Sequence, residues 1–261
     1  MNRLAVLVIL LSWSLVAAAI GVDPAAKSIT ISLTVEPPSL DSSHTEDTTS
    51  GFILNLTNEA LVRIGPHGRV VPGVADRWKL GEKDATFYLR PNAKWADGKP
   101  VTAHDFVFAW RRLVNPRTGA AGSTFFAHLL KNGHDILAGK KPMDSLGVEA
   151  IDDHTLHVEL SQPAPYLLTV LTGTAYMPLR KDFVEAQGGQ YASGAKHLLS
   201  NGPFRMVSWI HNGSMVLVKN DQYWDAKDIR LNEIRVGYIT ADTRSLFNLY
   251  KRRSEVFLNG R

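Results

Sequence analysis

The chain has 261 residues, 44% of them hydrophobic and 21% charged, with a formal charge of +4 and no cysteine. Such a composition belongs to a folded globular protein and excludes a disordered chain, a disulfide scaffold and a lipid-bearing cysteine. Lysine and arginine are spread along the chain, Lys251-Arg252-Arg253 apart, so the basic balance reads as a solvated surface and a nucleic-acid partner is not expected.

The N-terminus carries Arg3, an apolar run from Leu4 to Leu11 that continues through Val16, and then Ala17-Ala18-Ala19. That is the order of an export signal with a small-residue cleavage site, so residues 1–19 are expected to be removed. The apolar stretch, about 13 residues, falls short of the ~20 needed to span a bilayer. With no cysteine to lipidate, a free periplasmic protein starting near Ile20 follows.

Residues 29–35 alternate and are rich in β-branched side chains, which predicts a strand stopped at Glu36-Pro37-Pro38, because proline denies the ladder its donors. Helical spacing of Phe52, Ile53, Leu56, Ala60 and Leu61 follows the cap-rich Asp47-Thr48-Thr49-Ser50, and Gly65-Pro66-His67-Gly68 marks a turn. Two hairpins are expected, 78–80 with 86–89 and 148–151 with 155–160. Between them Asp97-Gly98 reads as a turn and Thr102-Ala103-His104-Asp105 as a capping box that opens a helix near Ala103. Phe106, Ala109, Trp110 and Leu113 form its apolar stripe, Arg111 and Arg112 suit its negative end, and Asn115-Pro116 stops it. Helical patches at 166–171 and 180–187, strands at 204–209, 215–219 and 233–238, and a last helix over 241–250 complete a mixed α/β (α+β) chain.

The block from Lys94 to Pro116 resembles the W-x-D-G-x-P-[VF]-T-A-x-D-F signature of the periplasmic oligopeptide-binding proteins, the family 5 solute-binding receptors of peptide-importing ABC transporters. Similar words recur in order: Glu36-Pro37-Pro38-Ser39-Leu40-Asp41, the segment 71–78, the stretches 136–142 and 146–160, Asn201-Gly202-Pro203-Phe204, and Asn220-Asp221-Gln222-Tyr223-Trp224. The resemblance implies a type II periplasmic-binding-protein lobe with a small α+β subdomain inserted in it. Residues 20–48 and 166–261 would supply part of the first lobe and residues 49–165 the insertion. Relatives continue for roughly as many residues again, so the second lobe is expected to be missing, along with the aspartate and cations that grip peptide termini. The tail Arg253-Ser254-Glu255-Val256-Phe257 also departs from the family's G-E-[IV]-D pattern.

On that resemblance the chain is a non-catalytic, monomeric receptor that binds an oligopeptide as an added strand and delivers it to ABC permease subunits at the inner membrane. Half a cleft would impair it. Glu36 would face the ligand, with Ser39 and Leu40 offering main-chain groups, and one of Phe125 and Phe126 would line the cleft while the other packs. The runner-up is a receptor fragment for another solute, such as a dipeptide, murein peptide, nickel complex or haem, or a fragment that binds none. A remoter alternative is a serine acyltransferase using Ser193 and Lys196 in an S-x-x-K arrangement, a pattern expected about once by chance in a chain this long. Trp78, Trp95, Trp110, Trp209 and Trp224 read as packing residues, Asp105 as a cap, and His104 as exposed beside it. No cofactor is implied. A metal is not expected either, since His154 and His157 lie three apart on a predicted strand and so face opposite sides.

Overall fold

The computed structural model describes residues 21–120 and 122–239, together with Asp242, Arg244 and Phe247. The expected export signal at 1–19, the departing tail at 253–257 and most of the expected helix at 241–250 lie outside the described residues.

Two larger sheets, each with its own core, carry most of the described residues. The larger is built from both ends: β1 (Gly21–Asp23) and β2 (Ser28–Leu33) at the start, and β9 (Phe204–Ile210), β10 (Ser214–Lys219) and β11 (Glu233–Ile239) at the finish. Its order is β1-β2-β11-β10-β9. Only the β2–β11 pair is parallel, with Ile31 beside Val236; the others are antiparallel. That pairing is what brings the two ends of the sequence into one layer.

The second sheet has the order β5-β6-β8-β7, from β5 (Ala75–Leu80), β6 (Asp84–Leu89), β7 (Val148–Asp152) and β8 (Thr155–Glu159). The two expected hairpins therefore join through the β6–β8 pair into one sheet, with Phe87 opposite Leu156. Alternation decides its faces: Leu156 and Val158 are fully buried on β8 while Thr155, His157 and Glu159 are half-buried. A short hairpin of β3 (Val62–Ile64) and β4 (Val70–Pro72) precedes it, its turn at Pro66–Gly68 where the glycine and proline placed it.

Across the second sheet lies α2 (Ala103–Val114), which buries Phe106, Ala109, Trp110 and Leu113. Its capping box forms as read, the Thr102 main-chain N–H donating to Asp105 Oδ2 at 2.9 Å. Trp95 Nε1 donates to the same oxygen at 3.1 Å. Burial pushes the Asp105 carboxyl above its ordinary range despite these bonds, so the group is a structural cap paid for by packing around it. Trp110 is fully buried, meets Phe106 and Phe126 edge-on at 6.3 and 5.1 Å, and donates Nε1 to the Tyr176 carbonyl at 3.0 Å. Each such side chain contributes about 1.5–3 kcal/mol by leaving water. Beyond α2 come α3 (Ser123–Leu129) and α4 (Gly133–Leu137), then α5 (Leu167–Val170) and α6 (Lys181–Gln187).

The cores divide the chain differently from the expected boundaries at 49 and 165. Helix α1 (Thr48–Thr57), capped by Asp47 accepting from Ser50 N at 2.8 Å, buries Ile53 and Leu54 in the core of the five-stranded sheet beside Met215 and Leu217. The second core begins at Leu61 and takes in Leu167, Leu171, Leu179 and Val184. Amphipathic spacing predicts a buried face but not which sheet receives it. Helix α1 also ends at Thr57, so Ala60 and Leu61 are buried as an extended crossing between cores rather than as helix.

The crossing is held by polar groups. Asn201 accepts from Glu59 N and donates to Glu59 O, both at 3.0 Å, and Asn220 Nδ2 donates to the Gly202 carbonyl at 2.8 Å. Gly202 sits so close that a Cβ would fall 2.7 Å from Asn58 N. Glu59, 5% exposed, accepts from Tyr223 Oη at 2.5 Å and Trp224 Nε1 at 2.6 Å, and Arg90 stacks 3.8 Å from the Trp224 ring. The segments 201–204 and 220–224 thus meet at one buried carboxyl, which burial pushes above the ordinary range.

Candidate functional site

After β2 the chain leaves the sheet at Leu33, and Pro37 and Pro38 keep it from pairing again. The loop is fixed from across the sheet. Glu36 Oε1 accepts from Trp209 Nε1 and bonds His211 Nδ1, both at 2.7 Å, while Oε2 accepts from Asn212 N at 2.9 Å. Burial raises the Glu36 carboxyl, but the bonds from His211, Asn212 and Trp209 outweigh it and hold the group below its ordinary range. His211 Nε2 bonds the Ser193 carbonyl at 3.1 Å, so one side chain on the β9–β10 turn ties together two segments. Between them opens a cleft of about 410 Å³ lined by Glu36, Pro38, Ser39, Tyr191, Ser193 and Trp209 among others.

The Glu36 side chain is therefore a latch for the loop, with both oxygens occupied. Among the described residues, the main-chain N–H and C=O groups of Val35 and Glu36 make no hydrogen bond. Peptide groups without a partner among the described residues, in a loop held by its side chain, are suited to pairing with another chain.

Ser39 also lines the cleft, but its Oγ accepts from Asp41 N at 3.0 Å. Leu40 is fully buried in the core of the five-stranded sheet, so its side chain anchors the loop and does not face the cleft. Asp41 then fastens the loop to α2. Arg112 donates to both of its oxygens, at 2.8 and 2.6 Å, Ser43 N adds a bond at 3.0 Å, and His44 bridges Asp41 Oδ2 to the Thr118 carbonyl. Burial raises the Asp41 carboxyl, and the bonds and charge of Arg112 more than reverse it.

Phe125 and Phe126 divide as adjacent residues on a helix must: Phe126 is fully buried against Trp110 and Tyr176, and Phe125 is 52% exposed. Neither lines the cleft beside Glu36, so the structure groups Glu36 and Ser39 there and leaves Leu40 and Phe126 to packing. Ser193 Oγ donates to the Gln190 carbonyl at 2.7 Å, and no hydrogen bond joins it to Lys196. His154 sits in the turn before β8, where it was expected on the strand, and His157 Nδ1 lies 3.2 Å from Thr86 Oγ1. Trp95 and Trp110 are buried as read, but Trp209 serves the loop through its ring nitrogen as well as packing. Sequence reasoning missed Trp209, His211 and Tyr191 as site residues. The Trp209 and His211 contacts with Glu36 span 173 and 175 residues, and only the β2–β11–β10–β9 order creates them.

Residues 69–252 match the middle part of the bacterial extracellular solute-binding proteins, family 5. The chain belongs to that family. It is 38% identical over 222 residues to the periplasmic oligopeptide-binding protein OppA of Salmonella typhimurium, a match covering 83% of the chain and 40% of the relative. To the dipeptide-binding protein DppE of Bacillus subtilis it is 35% identical over 207 residues, covering 78% and 38%. Listeria monocytogenes OppA bound to peptide has the same fold over 87% of the chain and 45% of its own length, with a TM-score of 0.84 at 36% identity. The chain spans less than half the length of these family 5 relatives.

Proposed function

We propose that this chain is a peptide-binding solute receptor acting in the periplasm, exported by cleavage after residue 19, monomeric and non-catalytic, and that it serves ABC permease subunits. The observation that carries the reading is the loop at Val35 and Glu36, held by Trp209, His211 and Asn212 at the edge of a cleft, with main-chain groups that have no hydrogen-bond partner among the described residues. Pairing through main chain gives affinity without choosing side chains, which suits a receptor for peptides of varied sequence. Two relatives named for oligopeptide and dipeptide binding support the ligand class. The five-stranded sheet with α1 corresponds to a first lobe, and the core that starts at Leu61 to its inserted subdomain.

The test is calorimetry of residues 20–261 with a mixed tri- to pentapeptide pool, beside the Glu36→Ala variant. Heat from the wild type that is lost in the variant supports the reading. Equal heat from both moves the site elsewhere.

A further inference from the structure

Among the described residues no group of three or more His, Cys, Asp or Glu side chains is placed to hold a metal ion. Two histidines that do not line the Glu36 cleft nevertheless meet. The rings of His128, in the last turn of α3, and His134, in the first turn of α4, stand 4.8 Å apart between centroids, tilted by 57°. Both are exposed. A shared metal with metal–nitrogen bonds of about 2.0–2.1 Å holds two cis imidazoles with centroids roughly 5 Å apart, close to the separation these rings have.

The His128 ring nitrogens are sorted as ligation requires. His128 Nδ1 lies 2.7 Å from the Thr124 carbonyl, which can only accept, so Nδ1 carries the proton and the neutral ring keeps its lone pair on Nε2. His134 Nδ1 stands 3.7 Å from Asp135 Oδ1, a carboxylate beside the ring but beyond hydrogen-bond distance. A backbone carbonyl or carboxylate on the far nitrogen is the usual support of a metal-binding imidazole. The scaffold is also tight. Asn132 adopts φ 64°, a Cβ on Gly133 would fall 2.3 Å from the Ala127 carbonyl, and Ser161 Oγ donates to the His128 carbonyl. Leu129 and Ile136 anchor the two helices in the core, so the rings are brought together before any ion arrives.

We propose that His128 and His134 form a two-imidazole site for a divalent first-row transition ion, with water completing the coordination. Imidazole pairs suit Cu²⁺, Ni²⁺ and Zn²⁺, and Cu²⁺ binds tightest among them. Two protein ligands with open positions make an exchangeable site rather than a structural one. The proposal stands apart from the peptide-binding reading and shares no residue with it.

The test titrates untagged residues 20–261 with CuCl₂, NiCl₂ or ZnCl₂ by calorimetry, using wild type, His128→Gln, His134→Gln and the double variant. One equivalent of Cu²⁺ should bind more tightly than Ni²⁺ or Zn²⁺. Each single variant should weaken it about tenfold or more, because the second imidazole binds intramolecularly. On unaltered protein, trace Cu²⁺ should broaden the imidazole NMR signals of His128 and His134 before those of the other histidines. Wild-type affinity in either single variant, or broadening that starts elsewhere, overturns the proposal. Peptide titrations of the same variants should match wild type whatever the metal result.

Discussion

Replacing Arg112 with methionine keeps most of its length and removes the charge that faces Asp41. The wild-type pair is bidentate, at 2.8 and 2.6 Å, with side chains 20% and 9% exposed. Removing one partner of a buried pair leaves the other charge uncompensated and costs about 3–5 kcal/mol. Ser43 N and His44 still bond Asp41, so the lower end, about 3 kcal/mol, is expected here. For a domain of this size that lowers Tm by roughly 6–12 °C. Urea melts of Arg112→Met, Asp41→Asn and the double variant close a cycle in which the double should cost less than the sum. The pH dependence has a fixed sign. Asp41 is held below its unfolded value, so its contribution is complete above about 3.9 and fades as pH falls through the lower folded value. The gap between wild type and Arg112→Met should therefore narrow in strong acid. A loss below about 1 kcal/mol at neutral pH, the level of an exposed pair, would refute the reasoning.

Glu59 behaves oppositely: burial raises its folded value, so its contribution is complete below about 4.3 and is lost as pH rises. Glu59→Gln should cost more stability near pH 4 than near pH 7 in paired urea melts. Phe126→Ala should cost about 3–5 kcal/mol, since the ring is fully buried between Trp110 and Tyr176, and Phe125→Ala within about 0.5 kcal/mol. Glu36→Ala removes the acceptor of three donors and should speed amide exchange over 34–39 and 209–212, while leaving the α2 core protected.

Local chemistry was legible in the sequence wherever one segment settles its own structure. Thr102 and Asp105 cap α2, Asp47 caps α1, and Gly65-Pro66-His67-Gly68 turns β3 into β4, whereas β2 stops at Leu33, two residues short of the strand end read at Val35 before the prolines. What stayed hidden depends on partners far along the chain. The apolar face of α1 was visible but not its docking on the five-stranded sheet, and the two hairpins were visible but not the β6–β8 pairing that fuses them. The same holds at the site. Glu36 was singled out as a ligand contact, yet its oxygens are taken by Trp209, His211 and Asn212, which register between β10 and β9 brings to it. Leu40 reads as a loop residue and is core because the loop folds back over the sheet. His128 and His134 meet only because Asn132 and Gly133 turn α3 into α4.

Amide NMR of ¹⁵N-labelled residues 20–261 with a mixed tri- to pentapeptide pool at millimolar concentration would locate the ligand residue by residue. Shifts confined to 34–39, 191–193 and 209–212 are expected, strongest at Val35 and Glu36. A cooperatively folded chain whose shifts fall elsewhere, or that shows none, would contradict the assignment of that loop as the peptide site.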